Sequence, residues 1–346
     1  MKISRMNAIL SNPCKALLIL AITVVITVSC STYKTFTINV MEPAELIVPQ
    51  DIRHLLIASN IKPDTNGLTF EIYGENFPDT LYSDTVLASA ATDYLAGNIN
   101  YNERFTASVY DSLFIDLPRT AEKISNNDLK RLKDICTVEE ADAIVLLSEA
   151  DKKIDYSVYA GFVGGYYSIY KVILSTRWMF INPFTSKLID QKSYQDTLYY
   201  KLSGFYGTRE PELYQAGKEL LIQTVEYAAG EYASRITPHF AESKRIVFDV
   251  GNKYLKKGYR TAQTGDWLKA AEIWQKTLEN SNPLVRARGA FNIALANEME
   301  GLLEPAIGWA EESYRFFPDS INYTYIEILK ERLKQQDDLL KQMAGQ

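Results

Sequence analysis

Past Lys244 the apolar residues change period and the sequence then repeats itself, which restricts the fold more than any other feature of this chain. Tyr254-x2-Lys257-Gly258-x2-Thr261 leads to Gly265-Asp266-Trp267-x2-Ala270-x3-Trp274 and Pro283. A second copy reads Ala290-x2-Ile293-Ala294-x2-Asn297, then Gly301-x4-Ala306-x3-Ala310 and Pro318. In both copies sixteen residues separate the first marker from the central alanine, and the copies lie 36 residues apart. The spacing predicts two helical hairpins. Gly258 and Ala294, with Ala270 and Ala306, are small where paired helices approach most closely. Gly265 and Gly301 end the first helix of each hairpin in a backbone conformation that costs glycine little. Trp267 opens the second helix, and Trp274 is expected to fill the groove against the next copy.

This pattern resembles the tetratricopeptide family, with repeats at 251–283 and 287–318. The interval exceeds the family's by two residues in the turn around Asn280 to Leu284, and Ala310 departs from the large residue the first copy keeps at Trp274. Residues 319–343 read as a capping helix, with Ile321, Tyr325, Ile328 and Leu329 on one side and charge elsewhere. Two repeats are fewer than the roughly three needed to stand alone. They are expected to lean on the preceding domain at its helix ending at Ile236. The resemblance implies a protein or peptide partner held in a concave groove, and no chemistry of the repeats' own.

Residues 35–240 alternate between the two periods. Thr35 to Val40, Glu45 to Val48, His54 to Ala58 and Phe105 to Tyr110 read as strands. Ala143 to Leu147 is an unbroken apolar run suited to a central strand covered on both faces. Ser168 to Ile181 and Leu188 to Tyr199 form a long hairpin across Asn182 to Lys187. Helices are expected from Asp84 to a stop at Gly97, from Ser125 along Leu129, Leu132, Ile135 and Cys136, and from Pro211 to Ile236. The turn at Lys62 to Gly67 and the Tyr/Gly loop at Tyr156 to Tyr167 connect them; the loop lacks the lysine and the following helix that a phosphate cradle needs. The fold class is therefore α+β, an N-terminal mixed α/β sheet domain followed by a C-terminal all-α tetratricopeptide-like domain over 245–346.

The start of the chain sets its address. Lys2, Arg5 and Lys15 precede thirteen uncharged residues, Ala16 to Val28, closed by Ser29 and Cys30. That run is too short to span a membrane, which takes about 20 residues. Residues 1–29 read as a signal peptide. The ending resembles that of bacterial lipoproteins, with Thr27 where leucine is usual, and this implies a diacylglycerol thioether and a palmitate-type N-acyl chain on Cys30. The tether 30–34 has no acidic residue. Taken whole, the chain resembles Bacteroidetes lipoproteins, in which that absence implies the periplasmic face of the outer membrane.

Loss of the leader's three cations takes the formal charge from -6 to -9. So acidic a surface repels phosphate backbones, which excludes nucleic acid as a partner. Cys136 is left without a disulfide partner and lies on an apolar helix stripe, so it reads as core. With His54 and His239 the only histidines, no metal site, cofactor or nucleophile constellation is expected. Asp79-Thr80-Leu81, Asp84-Thr85-Val86, Asp111-Ser112-Leu113, Asp196-Thr197-Leu198 and Asp319-Ser320-Ile321 match the triplet that Bacteroidetes O-glycosylate, at Thr80, Thr85, Ser112, Thr197 and Ser320; Asp-Ser/Thr pairs are equally turn and cap chemistry. The expected function is a non-catalytic envelope scaffold or assembly factor that binds a protein through its repeats. The alternative is a glycan-binding lipoprotein of a nutrient-uptake system, whose tyrosines and tryptophans, 23 and 4 in number, would stack on sugar rings.

Overall fold

A computed structural model describes residues 33–62, 68–72, 75–79, 84–102, 104–120, 122, 124–160, 166–204 and 210–344. The protein is α+β. Its described residues divide into two compact units, one reaching Val40 and resuming over Glu242–Lys334, the other taking Met41–Ala241 and the residues from Gln335 onward.

The sheet unit is built on β2 (His54–Ser59), β5 (Thr106–Phe114), β6 (Ala143–Ala160), β7 (Tyr166–Asn182) and β8 (Lys187–Gly204), in the order β5-β2-β6-β7-β8. β2 runs parallel to both neighbours, with Leu55 opposite Ala143 and His54 opposite Thr106; β6, β7 and β8 are antiparallel. Helices α1 (Asp84–Tyr101) and α3 (Glu210–Ile236) cover one face, where Leu95, Ile99, Val225 and Tyr232 pack with Leu55, Ile57, Trp178 and Phe180. Helix α2 (Asn126–Val138) covers the other through Leu132 and Cys136, against Leu56, Ile144, Met179 and Ile181. Ala143 to Leu147 is buried on both sides because successive side chains of one strand meet different helices. Ser125 caps α2 through a reciprocal box with Asp128, whose carboxyl those hydrogen bonds hold below its ordinary value. β3 (Leu68–Ile72) and β4 (Glu75–Asp79) make a separate hairpin.

Three local expectations fail here. The loop expected over Tyr156 to Tyr167 is shorter, because Tyr156 to Ala160 extend β6 and pair with Tyr170 to Tyr166 of β7. Glu45 to Val48 forms no strand: the Leu46 N–H donates to the Arg235 carbonyl at 3.0 Å, so the end of α3 holds this segment in place of a ladder. Gly97 does not stop α1, which continues on the apolar spacing of Leu95 and Ile99 to Tyr101.

The helical unit contains α4 (Lys253–Ala262) and α5 (Trp267–Gln275), then α6 (Pro283–Met299) and α7 (Leu303–Phe316), and most of α8 (Ser320–Met343). The second hairpin starts at Pro283, not 287: Asn282 Oδ1 accepts the Leu284 N–H at 2.9 Å and proline occupies the first turn, which tolerates its missing donor. Gly265 and Gly301 both have positive φ, +84° and +75°.

The boundary at residue 35 also shifts. β1 (Lys34–Glu42) pairs with β9 (His239–Val247), a strand the sequence pattern did not reveal. Up to Val40, β1 belongs with the helices: the Phe36 ring lies edge-on to Tyr259 at 5.7 Å and Trp267 at 5.1 Å. The chain's own strands thus give the two hairpins the cover that their small number demands. The last turns of α8 count with the sheet unit, where Gln342 closes both hydrogen bonds of the Ala44 peptide, at 2.9 and 3.0 Å.

Candidate functional site

The repeat positions occupy the places their sizes require. Ala270, Ala294 and Ala306 are fully buried, and Gly258 lies against Trp274, whose Nε1–H donates to the Leu255 carbonyl at 3.2 Å. Trp274 therefore fills its own hairpin at Gly258 and shares one buried cluster with Phe291 and Ala294 of the second copy. Trp267 is buried beneath Phe36.

One face of α6 is covered by the chain's own residue Phe248. Asn292, wholly buried on α6, accepts the Phe248 N–H at 2.9 Å and donates to the Phe248 carbonyl at 2.7 Å. The Phe248 ring meets Phe291 at 5.1 Å and lies under the Arg288 guanidinium at 5.3 Å. Beside it the buried Glu298 carboxylate takes hydrogen bonds from Arg245 Nε at 2.9 and 3.0 Å, from Tyr325 Oη at 2.7 Å and from Arg332. Sequence spacing carries no sign of either cluster. This unit also carries a hollow of about 380 Å³ at Leu278, Pro305, Gly308, Trp309, Glu312 and Phe316.

The sheet unit holds a larger cleft, about 640 Å³, within the range common for small-ligand sites. The end of α1 brings Asn98, Tyr101 and Asn102; α3 brings Tyr227 and Glu231; Glu42, Glu45, Tyr194, His239 and Phe240 close it. Three rings are presented to solvent, Tyr101 at 76%, Tyr227 at 53% and Phe240 at 52% exposure. Tyr194 is part of a ring stack: it meets Tyr232 edge-on at 6.4 Å, and Tyr232 lies flat on Trp178 at 5.4 Å, so this wall is set by the core.

The polar groups are mostly acceptors. Tyr227 and Glu231 stand one turn apart, and the phenol donates to Glu231 Oε1 at 3.2 Å. Glu231's charge and that hydrogen bond hold the phenol above its ordinary value, so it remains a donor. Burial, with Glu231's charge added, pushes the Asp196 carboxyl up to about 6, and Asp196 Oδ2 is buried without a hydrogen-bond partner. Arg235 is committed to Asp190 at 2.9 and 3.0 Å and to Glu45. His239 Nε2 stands 3.9 Å from Glu42, while the buried Asn102 Oδ1 and His239 Nδ1 have no partner.

Of the remaining predicted sites, Cys30 and Thr80 lie outside the described residues. Ser112, Thr197 and Ser320 are exposed, and Thr85 is half-buried in the first turn of α1. Asp319 caps α8 through the Asn322 N–H at 2.8 Å, so the triplet there also serves as a helix cap. Burial, chiefly, raises the Cys136 thiol to about 12, which disables it as a nucleophile. Among the described residues no three His, Cys, Asp or Glu side chains are grouped as metal ligands, and no helix is long and apolar enough to cross a membrane.

Residues 52–248 match the family model described as "Domain of unknown function (DUF8603)", and residues 256–331 match that described as "Domain of unknown function (DUF6340)". Solved structures similar to the chain include a PelC dodecamer from Paraburkholderia phytofirmans, 7% identical with a TM-score of 0.26, covering 58% of this chain and 98% of that one. A putative neuraminyllactose-binding hemagglutinin homolog from Helicobacter pylori is 9% identical with a TM-score of 0.30, covering 55% and 94%. No curated protein matches the sequence.

Proposed function

The chain belongs to the DUF8603 family, whose description names no activity, and from this member's geometry we propose a non-catalytic, lipid-anchored envelope protein that binds a saccharide in the cleft of its sheet unit. The observation that carries this is the pairing of three solvent-facing rings, Tyr101, Tyr227 and Phe240, with carboxylate and amide acceptors. The C–H face of a pyranose stacks on an aromatic ring, and its hydroxyls donate in pairs to carboxylates and amide oxygens. The anchor at Cys30 would hold the cleft at the outer membrane. Calorimetric titration with a panel of oligosaccharides tests the proposal: at least one class binds, and Tyr101→Ala with Tyr227→Ala weakens it by about tenfold or more, roughly 1.4 kcal/mol. A panel with no binder overturns it. Replacing Cys30 by Ser should release the protein from the membrane fraction; unchanged fractionation would remove the anchor from the proposal.

A second function, scaffolding of an envelope protein complex, draws support from the hollow beside Trp309 and Phe316 on the helical unit. In-cell crosslinking with Trp309→Ala as control tests it, and a partner lost on that substitution would favour it.

A further inference from the structure

Resting on the saccharide reading, we infer that the cleft selects a sugar bearing a protonated amine, seated between the Glu231 carboxylate and the faces of Tyr227 and Tyr101. The charge ledger around the cleft is the reason. Facing it or standing directly behind its walls are the carboxylates of Glu42, Glu45, Asp190, Asp196 and Glu231. The cations beside them are Arg235, which Asp190 and Glu45 already occupy, and Lys192, which lies 5.9 Å over the Tyr194 ring; the His239 ring faces Glu42 through Nε2.

Glu231 is the group this ledger leaves over. Its one hydrogen bond comes from a neutral phenol, and among the described residues no cation forms an ion pair with it. Behind it, the buried Asp196 Oδ2 lacks a donor among the described residues. A carboxylate left without a counter-charge in a cleft is a place where a ligand brings the positive charge. The exposed rings strengthen the choice, because an ammonium over a tyrosine face gains a cation–π attraction that a hydroxyl does not.

The test uses the full-length protein and three hexasaccharides of the same linkage at pH 6: the glucosamine hexamer, whose amines are protonated, its N-acetylated counterpart, and cellohexaose. The glucosamine hexamer is expected to bind at least tenfold more tightly than the other two. That advantage should shrink to less than threefold in 0.5 M NaCl and in Glu231→Gln, while Tyr227→Ala weakens all three ligands. Equal affinities for the three overturn the amine inference and leave the saccharide proposal standing. An advantage that survives Glu231→Gln, in a protein with an unchanged melt, overturns the assignment to this carboxylate. Absence of binding by every saccharide overturns both.

Discussion

A β-carbon placed on Gly258 would stand 2.3 Å from Nε1 of Trp274, so the glycine and the tryptophan of the first hairpin occupy a single packing site. Neither can change alone. Gly258→Ala is expected to cost about 1–3 kcal/mol by overpacking, and Trp274→Ala about 3–5 kcal/mol by opening a cavity. The double variant should cost less than the sum, since the alanine methyl then enters the vacated space. Denaturant unfolding of the four proteins measures this coupling, and strict additivity would show that the two residues do not share a site.

The clamp of Asn292 on Phe248 leads to a different outcome. In Asn292→Ala the buried Phe248 N–H and carbonyl both lose their partner, and each stranded group costs about 1–3 kcal/mol. Hydrogen exchange should then speed up first at Phe248, ahead of global unfolding. Exchange that accelerates evenly across α4 to α7 would contradict a local clamp.

At Glu298 the expected effect depends on what replaces the acid. Glu298→Gln keeps the shape but leaves the buried Arg245 and the partly buried Arg332 without their counter-charge, a loss of about 3–5 kcal/mol. Combining Glu298→Leu with Arg245→Met and Arg332→Met should recover much of it, because removing all three charges ends the desolvation penalty. Thermal melts of the single and triple variants decide the matter.

Asp196 should cost the fold stability at neutral pH. Its pKa in the folded protein, about 6, lies above the unfolded value, so the native state holds the proton more strongly. The unfolded chain ionises first as pH rises. This group's contribution is therefore fully present below about pH 4 and is lost as pH climbs through about 6. Asp196→Asn is expected to raise stability at pH 7.5 by about 1 kcal/mol, allowing for solvent screening, and to flatten the pH dependence between 4 and 6. A variant no more stable at pH 7.5 than the parent would refute the assignment. Such a cost is what an acid retained for binding would impose.

The sequence by itself determined many of the elements, though not β9. Ala143 to Leu147 had to be a covered strand, Ser125 had to open α2, and the small residues at Gly258, Ala270, Ala294 and Ala306 had to mark helix contacts, because strand and helix periods and caps are written in neighbouring residues. Tertiary structure alone decided the rest. That β1 sides with the helices through Phe36, that Asn292 holds Phe248, and that Glu42, Tyr101, Glu231 and Phe240 meet around one cleft depends on where distant segments cross. A polar side chain on an element shows its face but not its partner, since hydrogen bonds and charges are satisfied by whatever the folded chain brings within about 3 Å.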